Sequence, residues 1–132
     1  MGTRSLTHFK ENGDTLATIY RQYDGYMSGH GVDLSHFLKS KKIVNGYHPD
    51  VKNQANGMGC LTAQFISHMK DGVGNIYVYP PNSKDVCEEY VYEVYLNNNE
   101  IQIKVSECYL GKTDVLFEGT PEALHKQFEI KE

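Results

Sequence analysis

Residues 20–31 read Tyr-Arg-Gln-Tyr-Asp-Gly-Tyr-Met-Ser-Gly-His-Gly and bring together side chains suited to binding a polar ligand. Their three glycines allow positive φ angles and the close approach of a second molecule. The stretch ends in Gly29-His30-Gly31, directly before an apolar pattern typical of a helix. Because the first N–H groups of a helix have no partner within it, they favour an anion. We therefore predict a ligand site that includes Gly29, His30 and Gly31.

A second glycine loop, Gly57-Met58-Gly59, precedes another apolar pattern with helical spacing. If the two helix starts converge on one side of a sheet, their N–H groups can hold two anionic groups side by side, as in a diphosphate or a cyclic nucleotide. The alternative is that each loop is only a tight turn and a helix cap, and both interpretations are open. Neither loop continues as Gly-Lys-Ser or Gly-Lys-Thr, which excludes the ATPase P-loop.

The side chains around these loops predict a nucleotide-like, phosphorylated ligand. Arg4 and Arg21 lie on two strands predicted to pair, and an arginine fork suits phosphate, although arginines on a sheet also pair with acidic neighbours. Asp24 either accepts from a ribose hydroxyl or only stabilises the turn that Asp-Gly favours. The other candidates stack on a base or hydrogen-bond to its edges, namely Tyr20, Tyr23, Tyr26, Tyr47, Gln22, Asn45 and Asn56.

A catalytic alternative uses His30 as a general acid or base, with Asp24 or Asp33 orienting it. Cys60 stands at a predicted helix start, where the pKa of a thiol falls, so a nucleophilic pair of Cys60 and His30 is conceivable. The simpler reading of Cys60 is a small buried core residue. The six histidines and three cysteines have no metal-ligand spacing, and we expect no metal and no cofactor.

Length and composition predict one globular domain, residues 1–132, that is 39% hydrophobic and 23% charged. The formal net charge of -4 argues against general nucleic-acid binding, which needs a basic surface. No apolar run approaches membrane-spanning length, and the N-terminus has no signal-peptide pattern. We therefore expect a cytoplasmic protein without membrane contact.

Periodicity predicts an α+β fold, in which a mainly antiparallel sheet begins with an N-terminal hairpin, two central helices pack on one face, and a short helix ends the chain. Edge strands buried in a homo-oligomer are a further expectation. The predicted strands are 3–9, 16–22, 75–79, 89–96, 101–105 and 115–118, the helices start at 32, directly after Gly59 and at 121, and a long ordered loop covers 43–56.

Several stretches resemble a small protein family of bacteriophages, prophages and large DNA viruses. They are Thr-Arg-Ser-Leu-Thr at 3–7, Tyr-Arg-Gln-Tyr-Asp-Gly-Tyr at 20–26, Gly-His-Gly at 29–31 and Asn-Gly-Met-Gly-Cys at 56–60, with 76–80 and the tyrosine-rich strand 90–95. The resemblance implies a viral setting and no particular chemistry. Small phage proteins often act against host defence, and one class sequesters nucleotide-derived immune signals.

Three functions follow as hypotheses. The first is a viral anti-defence protein that sequesters a host immune signalling nucleotide in the host cytoplasm, at the pocket of the two glycine loops. The second is a phosphodiesterase-like hydrolase of such a nucleotide that uses His30 with Asp24 or Cys60. The third is a protein-binding inhibitor of a host defence enzyme, docking through an exposed sheet edge and a tyrosine-bearing face.

Overall fold

The computed structural model describes residues 2–46 and 53–129. Its strands are β1 (Ser5–Glu11), β2 (Asp14–Arg21), β3 (Lys42–Val44), β4 (Gln54–Asn56), β5 (Ile76–Tyr79), β6 (Tyr90–Asn97), β7 (Glu100–Tyr109) and β8 (Lys112–Gly119). Its helices are α1 (Val32–Leu38), α2 (Gly57–Met69) and α3 (Pro121–Glu129), and a π-helical turn, Met27–Gly31, leads into α1. The predicted α+β class with a mainly antiparallel sheet is confirmed.

Six strands form one sheet in the order β5-β2-β1-β6-β7-β8, in which only β1 and β6 pair in parallel. The predicted N-terminal hairpin is present, because β1 and β2 pair around the turn residues Asn12 and Gly13. The short strands β3 and β4 form a separate parallel pair, so the ends of the predicted loop 43–56 are extended. The middle of that loop, with the stacking candidate Tyr47, lies outside the described residues.

All three helices share one hydrophobic core with one face of the sheet. That core joins Leu34 and Leu38 of α1, Leu61 and Phe65 of α2 and Leu124 of α3 to apolar strand residues. We call this side of the sheet the helix face and the opposite side the open face. Among residues 2–46 and 53–129, no helix is long and apolar enough to cross a lipid bilayer.

The open face carries two rows of side chains that run across the strands. Cross-strand pairing places Tyr79, Thr18, His8, Glu93, Lys104 and Glu118 in one polar row. The next row is mostly apolar and consists of Tyr77, Tyr20, Leu6, Val91, Ser106 and Val115. Because alternate residues of a strand point to opposite sides of the sheet, the residues that alternate with these rows point to the helix face.

Candidate functional site

His30, the centre of the first glycine loop, is completely buried. The Arg21 Nη1 group donates to His30 Nδ1 at 3.1 Å, so the ring proton is on Nε2, which donates to Thr7 Oγ1 at 2.8 Å. Burial, with a smaller effect of the Arg21 guanidinium, lowers the pKa of His30 from 6.5 to about 3. His30 is therefore a neutral, fully bonded core residue and has no free nitrogen for a ligand or for proton transfer.

Arg21 connects β2 to the start of α1 and has little contact with solvent. Besides His30, its guanidinium donates to Asp33 Oδ2 at 2.9 Å and its Nε donates to the Tyr23 carbonyl oxygen at 2.8 Å. The Arg21 side chain is 13% exposed. The Arg21 guanidinium, predicted to bind phosphate, thus makes hydrogen bonds within the protein that connect β2 to α1.

The glycines of the first loop allow close packing within the chain. A Cβ at Gly29 would lie 2.5 Å from the Asp24 carbonyl oxygen, which is far below a normal contact. Gly31 packs on the Tyr92 ring, and the Tyr92 hydroxyl donates to the Gly25 carbonyl oxygen at 2.7 Å. The space beside Gly29 and Gly31 is therefore occupied by other residues of the protein and not left for a ligand.

The second glycine loop does not join the first in a common hollow. The His30 ring packs against Phe65, at 6.1 Å between ring centroids. Phe65 stands eight residues beyond Gly57 in α2, which corresponds to about 12 Å along the helix axis. The predicted second loop is the first turn of α2, in which Met58 is buried. Apart from chain neighbours and the backbone of α2 itself, no atom lies within 4 Å of where a Cβ of Gly57 or Gly59 would be.

The two faces of the sheet also divide the predicted ligand-binding residues. Ser5 pairs with Arg21, so the neighbours Arg4, Tyr20 and Gln22 point to the open face while Arg21 points to the helix face. Arg4 and Arg21 therefore do not form one cationic spot. Tyr20 is only 8% exposed, and one face of its ring is covered by Tyr79, at 4.8 Å between centroids.

The remaining predicted residues are scattered over the surface. Asp24 has a positive φ of 60° and accepts a hydrogen bond from the Tyr26 hydroxyl at 3.0 Å, which raises the pKa of Tyr26. Asn45 is exposed, and the Asn56 side-chain oxygen accepts from the Gly46 N–H at 2.8 Å. Asp24 is thus an exposed residue whose carboxylate is hydrogen-bonded within the chain.

The catalytic alternative finds no assembled site in these positions. Asp24 bonds to Tyr26 at the surface and His30 is enclosed beneath it, while Cys60 is half-buried on α2. In the part of the chain that the structure describes, no three His, Cys, Asp or Glu side chains lie close enough to hold a metal ion.

The open face carries a cleft that no pattern in the sequence indicated, with a volume of about 570 Å³. The segment 80–89, which joins β5 to β6, crosses this face, since the Asn82 N–H donates to Thr18 Oγ1 at 3.0 Å and the Glu89 N–H donates to the Arg4 carbonyl oxygen at 2.9 Å. One wall of the cleft is the hairpin of β7 and β8. Burial lowers the pKa of His8, on the cleft floor, against the opposing effect of Glu93.

The β7–β8 hairpin ends in an unusual two-residue turn. Tyr109 pairs with Lys112, which leaves Leu110 and Gly111 as the turn residues, with φ angles of 49° and 78°. Turns with two positive φ angles favour Asn or Asp before Gly, because a side chain such as Leu is strained there. The β1–β2 hairpin follows that rule with Asn12-Gly13, whose φ angles are 54° and 85°.

Leu110 is also the most exposed residue of an apolar surface that we call the hairpin tip, defined as Tyr109, Leu110 and Val115. Their exposed fractions are 67%, 84% and 54%, and all three line the cleft. A signal for the turn was present in the sequence, because Gly111 lies between two extended stretches. No periodicity indicated that its neighbour would be an exposed leucine.

Comparison of the chain with protein-family models, with curated proteins and with solved structures finds no match in any of the three.

Proposed function

We propose that this protein is a binding module that acts through protein–protein contact and docks by its hairpin tip. The observation that carries the proposal is Leu110, which combines a strained backbone with an exposed apolar side chain. Positive φ costs a leucine about 1–2 kcal/mol, and leaving the side chain in water forgoes about 1.5–3 kcal/mol of burial. In the isolated chain, packing offsets neither the cost of the positive φ angle nor that of the exposed side chain. Burial of the Leu110 side chain in a partner removes the cost of exposure.

The neighbours of Leu110 support the same proposal. Tyr109 adds an exposed aromatic ring, a residue type enriched in protein interfaces, and Val115 extends the apolar surface along β8. The tip is held by antiparallel pairing between β7 and β8 from Ser106 to Lys112, so a partner meets a surface that is already ordered. A pre-ordered apolar projection suits insertion into a concave pocket of another protein.

The resemblance to the viral family adds a setting to this proposal, in which the partner is a host protein and binding inhibits it. Sequestration of an immune signalling nucleotide, hydrolysis of such a nucleotide and homo-oligomerisation stay predictions. The donors assigned to the nucleotide, Arg21 and His30, are engaged within the protein, so the hairpin tip has the stronger structural support.

The test is capture of a partner from cells that naturally contain the protein. Tagged wild-type protein should retain one protein in stoichiometric amount, and Leu110→Asn should lose it. Val73→Asn is the matched control, because Val73 is a fully exposed apolar residue in a loop distant in sequence from the hairpin. Retention of the same partner by Leu110→Asn, or capture of none by the wild type, would contradict the proposal.

A further inference from the structure

Three tyrosine rings lie together on the open face, at the β5 edge of the sheet. Tyr20 and Tyr77 pair across β2 and β5, with 6.0 Å between ring centroids, and Tyr20 stacks on Tyr79 at 4.8 Å. We call Tyr20, Tyr77 and Tyr79 the tyrosine cluster. Tyr20 is its buried middle, whereas Tyr77 is 41% exposed and Tyr79 is half-buried. The cluster therefore presents aromatic surface whose position is fixed by packing on Tyr20.

Polar side chains without a partner border the tyrosine cluster. Arg4 and Gln22 occupy the next row of the open face, one residue beyond the end of the β1–β2 pairing. A Cβ at Gly74 would lie 3.8 Å from the Tyr77 hydroxyl and 4.0 Å from the Gln22 side-chain oxygen, so these two groups meet beside Gly74. Among residues 2–46 and 53–129, the Arg4 guanidinium, the Gln22 amide and the Tyr77 hydroxyl make no hydrogen bond.

Arg4 is a half-buried cation to which the described part of the chain supplies no counter-charge. The Glu89 N–H donates to the Arg4 carbonyl oxygen at 2.9 Å, yet the Glu89 carboxylate forms no ion pair with the Arg4 guanidinium. The Lys70 ammonium lies 5.4 Å from the centroid of the Tyr77 ring and adds a second positive charge at this edge. A partly buried charge without a partner is unfavourable, and a bound anion removes that cost. The paired N–H donors of a guanidinium suit phosphate in particular.

The spacing of Tyr77 and Arg4 suits the two ends of one small molecule. Their strands, β5 and β1, flank β2, so their Cα atoms lie about 10 Å apart across the strands and about 7 Å apart along them. Because both side chains are long and point to the open face, a ring on Tyr77 places an attached anionic group within reach of Arg4. Gln22 lies on the strand between them and offers both a donor and an acceptor.

We infer that this part of the open face binds a planar nitrogen-containing ring that carries a phosphate, as a nucleoside monophosphate does. The exposed surfaces of Tyr77 and Tyr79 pack on the ring, Gln22 hydrogen-bonds to its edge, and Arg4 binds the phosphate. The site goes beyond the hairpin tip, since it lies at the opposite edge of the sheet and none of its residues lines the cleft. It gives three residues predicted to bind a nucleotide, Arg4, Tyr20 and Gln22, a common place on the side of the sheet away from the first glycine loop.

A titration followed by NMR tests the site, with protein labelled with ¹³C and ¹⁵N and with adenosine monophosphate, adenosine and inorganic phosphate as probes. Adenosine monophosphate should shift the ring signals of Tyr77 and Tyr79 and the amide signals of residues 4 and 20–22. Adenosine should shift the same rings but bind about tenfold more weakly, because it lacks the charge-assisted bonds to Arg4. Inorganic phosphate should leave the ring signals unchanged.

Matched variants separate the charge of the site from its aromatic surface. Arg4→Gln should weaken the binding of adenosine monophosphate about tenfold and leave the binding of adenosine unchanged, because only the phosphate contacts the guanidinium. Tyr77→Leu should weaken the binding of both compounds, because the aromatic contact is lost. The controls are Lys104→Gln, which removes another cation of the open face, and Tyr23→Leu, which removes a tyrosine of nearly equal exposure, 43%. Both controls should bind as the wild type does.

Every other result counts against the site. Equal affinity for adenosine and adenosine monophosphate, or an Arg4→Gln variant that binds as the wild type does, would show that Arg4 holds no phosphate. Ring shifts by inorganic phosphate as large as those by the nucleotide would show that the tyrosine cluster recognises no ring. Ring signals of Tyr77 and Tyr79 that stay unchanged at millimolar nucleotide would overturn the site altogether. These results leave the hairpin tip untouched, because its test is the capture of a protein partner.

Discussion

Replacing Leu110 by asparagine should make the protein more stable. The substitution gives the β7–β8 turn the Asn-Gly sequence that the β1–β2 hairpin already uses at nearly the same φ angles. Asn tolerates this backbone conformation, so the substitution should recover most of the conformational cost of leucine there, which is about 1–2 kcal/mol. Because Leu110 is 84% exposed, the burial lost is only about 0.5 kcal/mol or less. The net gain is about 1 kcal/mol.

Urea unfolding followed by circular dichroism measures this gain, and the thermal midpoint should rise by about 3–6 °C. Val73→Asn provides the comparison, because Val73 is also exposed but does not have a positive φ, and it should change the free energy of unfolding by less than about 0.5 kcal/mol. A Leu110→Asn variant that is less stable than the wild type would refute the reasoning, since it would mean that Leu110 packs within the fold.

Three further predictions concern the glycine loops and their buried network. Arg21→Ala should lower the free energy of unfolding by about 2–3 kcal/mol, because it leaves buried acceptors without a donor. Arg4→Ala should cost less than about 1 kcal/mol in the same urea assay, because the Arg4 side chain has no hydrogen bond or ion pair among the described residues. Folding lowers the pKa of His30 from 6.5 to about 3, so below pH 6.5 the unfolded chain binds a proton that the folded chain does not. The free energy of unfolding should therefore be at its full value above pH 6.5 and fall by about 2 kcal/mol towards pH 5. His30→Gln should reduce this loss. Gly29→Ala should destabilise the protein strongly, because the new Cβ would meet a backbone oxygen at 2.5 Å. Gly59→Ala should raise the thermal midpoint slightly, because Gly59 has open space around it in the first turn of a helix. Equal effects of the two substitutions would contradict this difference in packing.

Local pattern in the sequence was sufficient for most elements of the fold. Asn12-Gly13 between two alternating stretches predicts the first hairpin, and the helical spacing of Leu61 and Phe65 predicts α2. The strands β3 and β4 have three residues each, which is too short for an alternation to be recognised. Their pairing depends on the packing of α2 and the sheet.

The predicted site depended on which side chains share a face, and that information was partly in the sequence. Arg21 is two residues after Ile19 in the same strand, so both side chains point to the same face, and a core position for Ile19 implies that Arg21 also points towards the core. The distance between the two glycine loops follows from how α2 lies on the sheet, which no local pattern encodes. An identical glycine motif can permit ligand approach or self-packing, and in the first loop Tyr92 and Phe65 fill the space.

The hairpin tip was missed because its strands carry polar residues near the turn. The sequence predicted strands at 101–105 and 115–118, whereas β7 continues to Tyr109 and β8 begins at Lys112. Cross-strand pairing with β6 as far as Glu107, and with β8 as far as Tyr109, extends β7 beyond its apolar pattern. The strain at Leu110 becomes visible only with the backbone angles.

The most direct test of the hairpin tip as a docking surface is photo-crosslinking inside the cells that contain the protein. A photoreactive phenylalanine derivative takes the place of Tyr109 in one variant and of Tyr23, an exposed tyrosine in the segment after β2, in the other. We expect irradiation to join the first variant to one discrete partner protein and to leave the second uncrosslinked. Crosslinks to that partner from Tyr23 but not from Tyr109, or no crosslink from Tyr109, would contradict the account.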